Sequence, residues 1–253
     1  MPVAVVFGLS SGQSLPKLHR MSYVLHYAPD NASLVVRLCL REMQQPFETV
    51  LVDRRTRAQD NAAYKVLSPT GLIPCLETPD GPIFETGAIL LWLADRHQKM
   101  APAPDHPQRA PFLKWLFFVS NTVHADARMI FYPHYFVGAD PAAQDGLRNQ
   151  VRERLKRHFK LLDALTLDKP DWQAPDSPPS VLSYYIACLS RWLMLYPADG
   201  PAWFKLSDYA GLQELHSLMD LRPATEAAIA AEGLGPHPFT RPRHPTPPEG
   251  SAV

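Results

Sequence analysis

Residues 68–77 read SPTGLIPCLE and residues 81–90 read GPIFETGAIL, and these two stretches decide the fold. The turn that joins them, Thr78-Pro79-Asp80-Gly81, has proline at its second and glycine at its fourth position, which is typical of a type I turn. The stretches therefore predict a β-hairpin, followed by an apolar helix over residues 86–97. Pro74 stands at the start of the hairpin, where a residue without an N–H group is tolerated.

Upstream of the hairpin, strand-like and helix-like patterns alternate. The periodicity predicts strands at 23–27, 47–53, 73–77 and 82–84, and helices at 31–44, 58–66 and 86–97. The helical crossover makes the first two strands parallel, and the hairpin adds an antiparallel strand. One mixed four-stranded sheet is therefore expected in the first half of the chain.

After residue 105 the apolar residues recur at helical spacing. They predict helices at 108–132, 141–166, 180–195 and 208–219, which must bundle to bury their apolar faces. Clustered prolines mark the boundaries between segments. The predicted division is a flexible extension at 1–20, an α/β domain at 21–100, a linker at 101–107, an all-helical domain at 108–235 and a proline-rich disordered tail at 236–253.

Composition excludes several classes of partner. The formal net charge is +0, so nothing global attracts the chain to nucleic acid or to an anionic membrane. No apolar run approaches the roughly 20 residues of a membrane span. The cysteines, Cys39, Cys75 and Cys188, are far apart and form no CxxC pair, which argues against a disulfide framework or a cysteine zinc site and favours the reducing cytoplasm.

Glu85 and Thr86 form a candidate ligand site where the helix at 86–97 begins. A hydroxyl and free N–H groups at a helix N-terminus can bind a carboxylate, and Glu85 can take an ammonium group, which together suit an amino-acid head group. The alternative is an ordinary N-cap beside a solvated glutamate. Similarly, a cis Ile73–Pro74 bond would turn the Ile73 main chain toward an extended peptide, whereas a trans proline at a strand edge is the commoner arrangement.

The order Pro-x-Gly-x-Ile-Pro followed by Glu-Thr-Gly-Ala-Ile resembles the glutathione-binding site of the glutathione transferase family. The resemblance covers roughly residues 21–235 and implies a thioredoxin-like α/β domain followed by an all-α bundle. It implies a cis Pro74 and an Ile73 main chain that pairs with the cysteinyl part of glutathione. It also implies that Glu85 and Thr86 hold the γ-glutamyl end.

The resemblance breaks at the residue that would activate the glutathione thiol. A free thiol has a pKa near 8.5, so donors must stabilise its thiolate at neutral pH. The segment YAPDNASL at residues 27–34 resembles the bacterial beta-class version, but Ala32 stands where family members have cysteine or serine. Asn31, Ser33 or Tyr27 is expected to substitute, although Ser33 also suits a helix cap and Tyr27 suits packing at a strand end.

Four further residues complete the candidate site. The segment FVSNTVH, which ends at His124, resembles a beta-class segment whose histidine lies near the glutathione sulfur. His124 is therefore a candidate donor to the thiolate or contact for a second substrate, with a satisfied interior histidine as the alternative. Arg128 and Tyr132 are candidates for the second-substrate pocket, with helix packing as the alternative for the tyrosine. Arg54 is a candidate for the glycine carboxylate of glutathione.

Three functions remain open at this point. The first is a glutathione transferase that conjugates glutathione, as its co-substrate, to a small apolar electrophile. The second is a glutathione-dependent disulfide reductase or peroxidase, which Asn31 without an adjacent cysteine could support. The third is a binding module that lacks turnover, for which Ala32 argues. The resemblance also implies a homodimer, and His237 and His244 in the tail indicate no metal site.

Overall fold

A computed structural model of the chain describes residues 23–173, 177–198, 200 and 202–252. The extension predicted at 1–20 lies outside these ranges. The described N-terminal half is built on a sheet of four strands, β1 (Tyr23–Tyr27), β2 (Phe47–Leu51), β3 (Cys75–Thr78) and β4 (Gly81–Phe84). Their order is β2-β1-β3-β4, with β2 parallel to β1 and β3 antiparallel to β1 and β4. The predicted mixed sheet is therefore confirmed.

Three helices accompany the sheet: α1 (Ser33–Glu42), α2 (Ala62–Leu67) and α3 (Thr86–His97). α1 begins two residues later than predicted and also ends two residues earlier, at Glu42, because Gln44 has a left-handed φ of 59°, which a right-handed helix cannot include. β2 ends earlier than predicted because the Asp53 side chain accepts the Arg55 N–H at 3.0 Å and starts a 3-10 turn over Arg54–Thr56. α3 has the predicted bounds.

The C-terminal half of the described chain is helical, as predicted. Its helices are α4 (Arg109–Phe118), α5 (His124–Phe131), α6 (His134–Val137), α7 (Pro141–Leu167), α8 (Val181–Leu195), α9 (Ala210–Asp220) and α10 (Pro223–Glu232). The single helix predicted at 108–132 is interrupted by a π-helical turn over Val119–Val123. Among the described helices, none is long and apolar enough to cross a membrane.

α8 lies at the centre of the helical half and is buried along most of its length. Its N-terminus is held by a reciprocal capping box, in which the Ser183 N–H donates to Ser180 Oγ at 3.3 Å and the Ser180 N–H donates to Ser183 Oγ at 3.2 Å. α1 packs against α3, α8 and α10. The two halves therefore share one apolar core, to which both α1 and α8 contribute.

The predicted disorder of the tail was wrong for residues 236–252, which we call the C-terminal strap. Phe239 is fully buried, and its N–H donates to the Asp220 carboxylate at 2.9 Å. Further along, the Thr246 N–H donates to the Gly233 carbonyl at 2.9 Å. Proline-rich composition lowers the tendency to form helices and strands, but it does not prevent an extended segment from packing on a complementary surface.

The burial of Phe239 gives a direct test of strap packing. We expect Phe239→Ala to lower the free energy of unfolding by about 3–5 kcal/mol, the usual cost of emptying a core phenylalanine site. The matched control is Phe117→Ala, since that side chain is 52% exposed and its loss is expected to cost less than about 0.5 kcal/mol. Chemical denaturation measures both values, and equal small effects would show that the strap is not packed.

Candidate functional site

Neighbouring strands bring the predicted site residues to one end of the sheet. Cys75 opens β3 and pairs with the penultimate residue of β1 on one side and the last residue of β4 on the other. The residues just beyond these pairs, Tyr27, Pro74 and Glu85, therefore lie at the same end of three adjacent strands. β2 runs parallel to β1, so Arg54, which follows β2 in the chain, also lies at this end of the sheet.

The loop before β3 presents the Ile73 main chain. The Ile73–Pro74 peptide bond is cis, as the family resemblance implied. The Leu72 carbonyl accepts hydrogen bonds from the Tyr64 hydroxyl at 2.8 Å and from Ser68 Oγ at 2.9 Å, which hold the loop against α2. This arrangement leaves the Ile73 main chain at the sheet end, beside the start of α3.

The start of α3 offers groups of opposite polarity. Glu85 is exposed, has a φ of 71°, and makes no side-chain cap, so its carboxylate is not used to close the helix N-terminus. Thr86 is buried. The first N–H groups of α3 therefore lie next to a carboxylate that does not cap the helix, which is the arrangement expected for a zwitterionic head group.

The residues at the start of α1 differ in whether their side chains are available to bond with a ligand. Ser33 is fully buried, and its Oγ donates to the Ala28 carbonyl at 3.0 Å and accepts the Ala28 N–H at 3.3 Å. The structure does not leave the Ser33 hydroxyl accessible to a ligand, because it is buried and closes the turn before α1. Ala32 carries no donor. Asn31 is partly exposed, and its Oδ1 has no hydrogen-bond partner within the described residues.

Tyr27 is held from two sides. Its hydroxyl donates to the carboxylate of Glu249, a residue of the C-terminal strap, and the Arg37 guanidinium lies 4.5 Å from the centroid of its ring. Burial, followed by the contact with Glu249, raises the pKa of Tyr27. The hydroxyl at this end of the sheet is therefore neutral and already engaged by the chain's own carboxylate.

His124 is hydrogen-bonded to the central helix α8. Its Nδ1 lies 2.7 Å from the Tyr185 hydroxyl, and its ring centroid is 5.9 Å from that of Trp192. Burial and then the charge of Arg128 lower the pKa of His124 to about 4, so its imidazole is neutral at pH 7. A neutral imidazole carries one N–H group and one acceptor nitrogen, so the contact is satisfied with either His124 or Tyr185 as the donor.

Arg54 joins the end of the sheet to the helical half. Its Nη2 donates to the Tyr132 hydroxyl at 2.9 Å, and its Nη1 donates to the carbonyl of Ala252 in the strap. Arg128 lies one helical turn before Tyr132, whose N–H donates to the Arg128 carbonyl at 2.8 Å. The residues predicted for the glycine carboxylate and for the second substrate are therefore neighbours.

A buried ion pair that the sequence analysis missed fixes the loop between β1 and α1. The Asp30 carboxylate accepts from Arg191 at 2.8 and 3.0 Å, from Trp192 Nε1 at 2.9 Å and from the Tyr196 hydroxyl at 2.8 Å. Both charged side chains are fully buried. The available signal was Arg191 itself, because it is the sole charge in the otherwise apolar segment 181–195.

The lowered pKa of the half-buried His124 predicts a pH-dependent stability. Between about pH 4 and pH 6.5 the unfolded chain binds a proton at this imidazole and the folded chain does not, so stability rises with pH by about 1.4 kcal/mol per unit. His124→Gln is expected to reduce the slope of unfolding free energy against pH in this window by that amount. His106→Gln, at an exposed histidine, is the control and should leave the slope unchanged. Identical slopes for both variants would contradict a neutral His124 in the folded protein.

Comparisons with known proteins agree with this geometry. Residues 32–96 match the family model described as "Glutathione S-transferase, N-terminal domain". The chain is 26% identical over 212 residues to the glutathione S-transferase GST-4.5 of Xanthomonas campestris pv. campestris, covering 83% of this chain and 98% of that protein. It is 25% identical over 222 residues to the disulfide-bond oxidoreductase YfcG of Escherichia coli, covering 83% of this chain and 96% of that protein.

Solved structures extend the likeness to the whole fold. A bacterial beta-class glutathione S-transferase from Sphingomonas chungbukensis is 28% identical, with a TM-score of 0.67, and the match covers 83% of this chain and 98% of that one. A sphingomonad glutathione S-transferase complexed with glutathione is 27% identical, with a TM-score of 0.66 over 84% of this chain and 100% of that one. With the sheet order, the cis Ile73–Pro74 bond and the helical second half, these likenesses support a place for the chain in the glutathione transferase family.

Proposed function

We propose that this protein is a glutathione transferase that conjugates glutathione to a small apolar electrophile. The observation that carries the proposal is the cis Ile73–Pro74 bond beside the start of α3, at one end of the sheet. Relatives named glutathione S-transferase and a similar structure complexed with glutathione support it. The electrophile would lie near Arg128 and Tyr132, between the sheet end and α5.

The charges of glutathione match those of the site. Glutathione carries one ammonium and two carboxylate groups, joined by two peptide bonds. Glu85 would take the ammonium group, and the N–H groups at Thr86 would take the adjacent carboxylate. The Ile73 main chain would pair with the cysteinyl peptide, and Arg54 would take the glycine carboxylate. Each ionic group of the ligand then has a partner of opposite polarity.

The free energy needed to stabilise the thiolate is no larger than one or two hydrogen bonds can supply. Lowering a thiol pKa by two units needs about 2.7 kcal/mol of preferential stabilisation of the anion. One hydrogen bond to a charged group contributes about 1.5–3 kcal/mol, and a helix N-terminus adds about 0.3–1 kcal/mol. The amide of Asn31, at the start of α1, could therefore suffice without a hydroxyl at Ala32. The thiolate then attacks the electrophile directly, and the enzyme forms no covalent intermediate.

Glu85 provides the sharpest test of the proposed ligand. Glu85→Gln removes the charge but keeps the shape, and we expect it to weaken glutathione binding by about 10-fold to 100-fold, the value of a charged hydrogen bond. Glu48→Gln, at an exposed glutamate of β2, is the matched control and should bind like the wild type. Isothermal titration measures both, and a wild type that does not bind millimolar glutathione would reject the proposal.

A second candidate function is glutathione-dependent reduction of disulfides or peroxides. The similarity to a protein named disulfide-bond oxidoreductase favours it, as does the absence of a cysteine at Ala32, since glutathione would then supply every reacting thiol. The third candidate, a binding module, would bind glutathione without turnover in either reaction.

The Asn31→Ala variant tests the proposed thiolate donor, and two assays separate the three candidate functions. We expect Asn31→Ala to lower kcat/KM by about 10-fold or more in whichever reaction the protein catalyses, because it removes one donor to the thiolate. Assays with chlorodinitrobenzene and with hydroxyethyl disulfide report conjugation and reduction separately, and Asn149→Ala in α7 is the control. Unchanged rates in Asn31→Ala would assign thiolate stabilisation to another group, and no turnover in the wild type would favour the binding module.

We also propose a cytoplasmic homodimer. Family members usually pair through a twofold interface between the α/β domain of one subunit and the helical domain of the other. Cys39, Cys75 and Cys188 are buried free thiols, which is consistent with a reducing compartment. Light scattering that gives the mass of one chain would contradict the dimer.

A further inference from the structure

The first half of the C-terminal strap is firmly anchored to the helical domain. Phe239 is buried, and the Asp220 carboxylate accepts the N–H groups of both Phe239 and Thr240. Arg191, the partner of Asp30, also donates to the carbonyls of Pro238 at 3.1 Å and Arg243 at 3.0 Å. The same guanidinium therefore holds the strap and the loop before α1.

The second half of the strap runs from this anchor to the sheet end. It is rich in prolines, which restrict the main chain and lower the entropy lost when the segment lies down. The His244 ring is 5.4 Å from the Tyr196 ring, and the Thr246 N–H bonds to the Gly233 carbonyl. These contacts lead the last residues toward the candidate glutathione site.

The end of the strap is hydrogen-bonded to two candidate glutathione-site residues, Tyr27 and Arg54. Glu249 accepts the Tyr27 hydroxyl, and the Ala252 carbonyl accepts from Arg54. Between them, Gly250 has a φ of 71°, and a Cβ on it would lie 2.7 Å from Leu51 Cδ1 and 3.3 Å from Pro29 Cδ, so the strap is in close contact with the end of the sheet. Residues 249–252 thus lie against the end of β2 and the loop that precedes α1.

The alignment to GST-4.5 covers 98% of that relative but 83% of this chain, so about a sixth of this chain has no counterpart in it.

We propose that residues 249–252 compete intramolecularly with glutathione and regulate access to its site. The inference rests on the proposed function. With the strap end in place, the Glu249 carboxylate occupies the Tyr27 hydroxyl, and the Ala252 carbonyl uses one Arg54 donor. The glycine carboxylate of glutathione is a stronger acceptor than a neutral carbonyl, so it can displace Ala252. The apparent affinity for glutathione is then the intrinsic affinity multiplied by the fraction of molecules in which the strap end is open.

Removal of the strap end tests this competition. A protein that ends at Pro248 keeps the anchor and lacks Glu249 and Ala252. If about one molecule in ten is open, this deletion should tighten glutathione binding about 10-fold in isothermal titration, and Glu249→Gln should tighten it by a smaller factor. Glu226→Gln, at an exposed glutamate of α10, is the matched control and should bind like the wild type. In the full-length protein, glutathione should accelerate amide hydrogen exchange in residues 249–252.

The outcomes are distinguishable. Equal affinity in the deletion, Glu249→Gln and the wild type, with unchanged amide exchange, would overturn the competition and leave the glutathione site intact. Weaker binding by the deletion would also overturn it, because the strap would then be part of the binding surface. No binding by any variant would reject the glutathione site and the competition together. If the deletion does not fold, Glu249→Gln and the exchange measurement decide.

Discussion

The architecture around the site depends on one buried ion pair, between Asp30 and Arg191. Removing both charges from water costs several kcal/mol per ion, and their attraction offsets this only when the remaining hydrogen-bonding groups are satisfied. Here the carboxylate accepts four hydrogen bonds, and the guanidinium donates its others to carbonyls of the segment 234–243. The loop before α1, the central helix α8 and the strap are therefore held by the same pair of charges.

A second buried pair extends this constraint. Glu232, at the end of α10, accepts from Arg37 at 2.6 Å and from the Asp30 N–H at 2.8 Å. Burial raises the pKa of Glu232 to about 7, against the opposing effect of Arg37. The loop that carries Asn31 and Ala32 is thus fixed by its neighbours on both sides.

Much of the fold was predictable because its signals are local. The turn residues at 78–81 and the strand patterns beside them predicted the hairpin. α3 has its predicted bounds because its apolar periodicity begins directly after the hairpin, where the helix starts. The helix predicted at 108–132 is divided by a π-helical turn, where a Cβ on Gly87 of α3 would lie 3.1 Å from Ser120 Cβ. That division reflects packing between the two halves, which helical periodicity does not report.

By itself, the sequence determined the order of strands and helices, the start of α3 and the cis-proline loop recognised through its family resemblance. The bonding state of each candidate depends on the tertiary structure: the Ser33 hydroxyl is buried in its own turn, Tyr27 is paired with Glu249, and His124 is a neutral partner of Tyr185. Residue type and spacing specify what a segment can form locally. Whether a side chain is exposed, buried or already bonded depends on groups as many as 222 positions away, which meet only when the chain has folded.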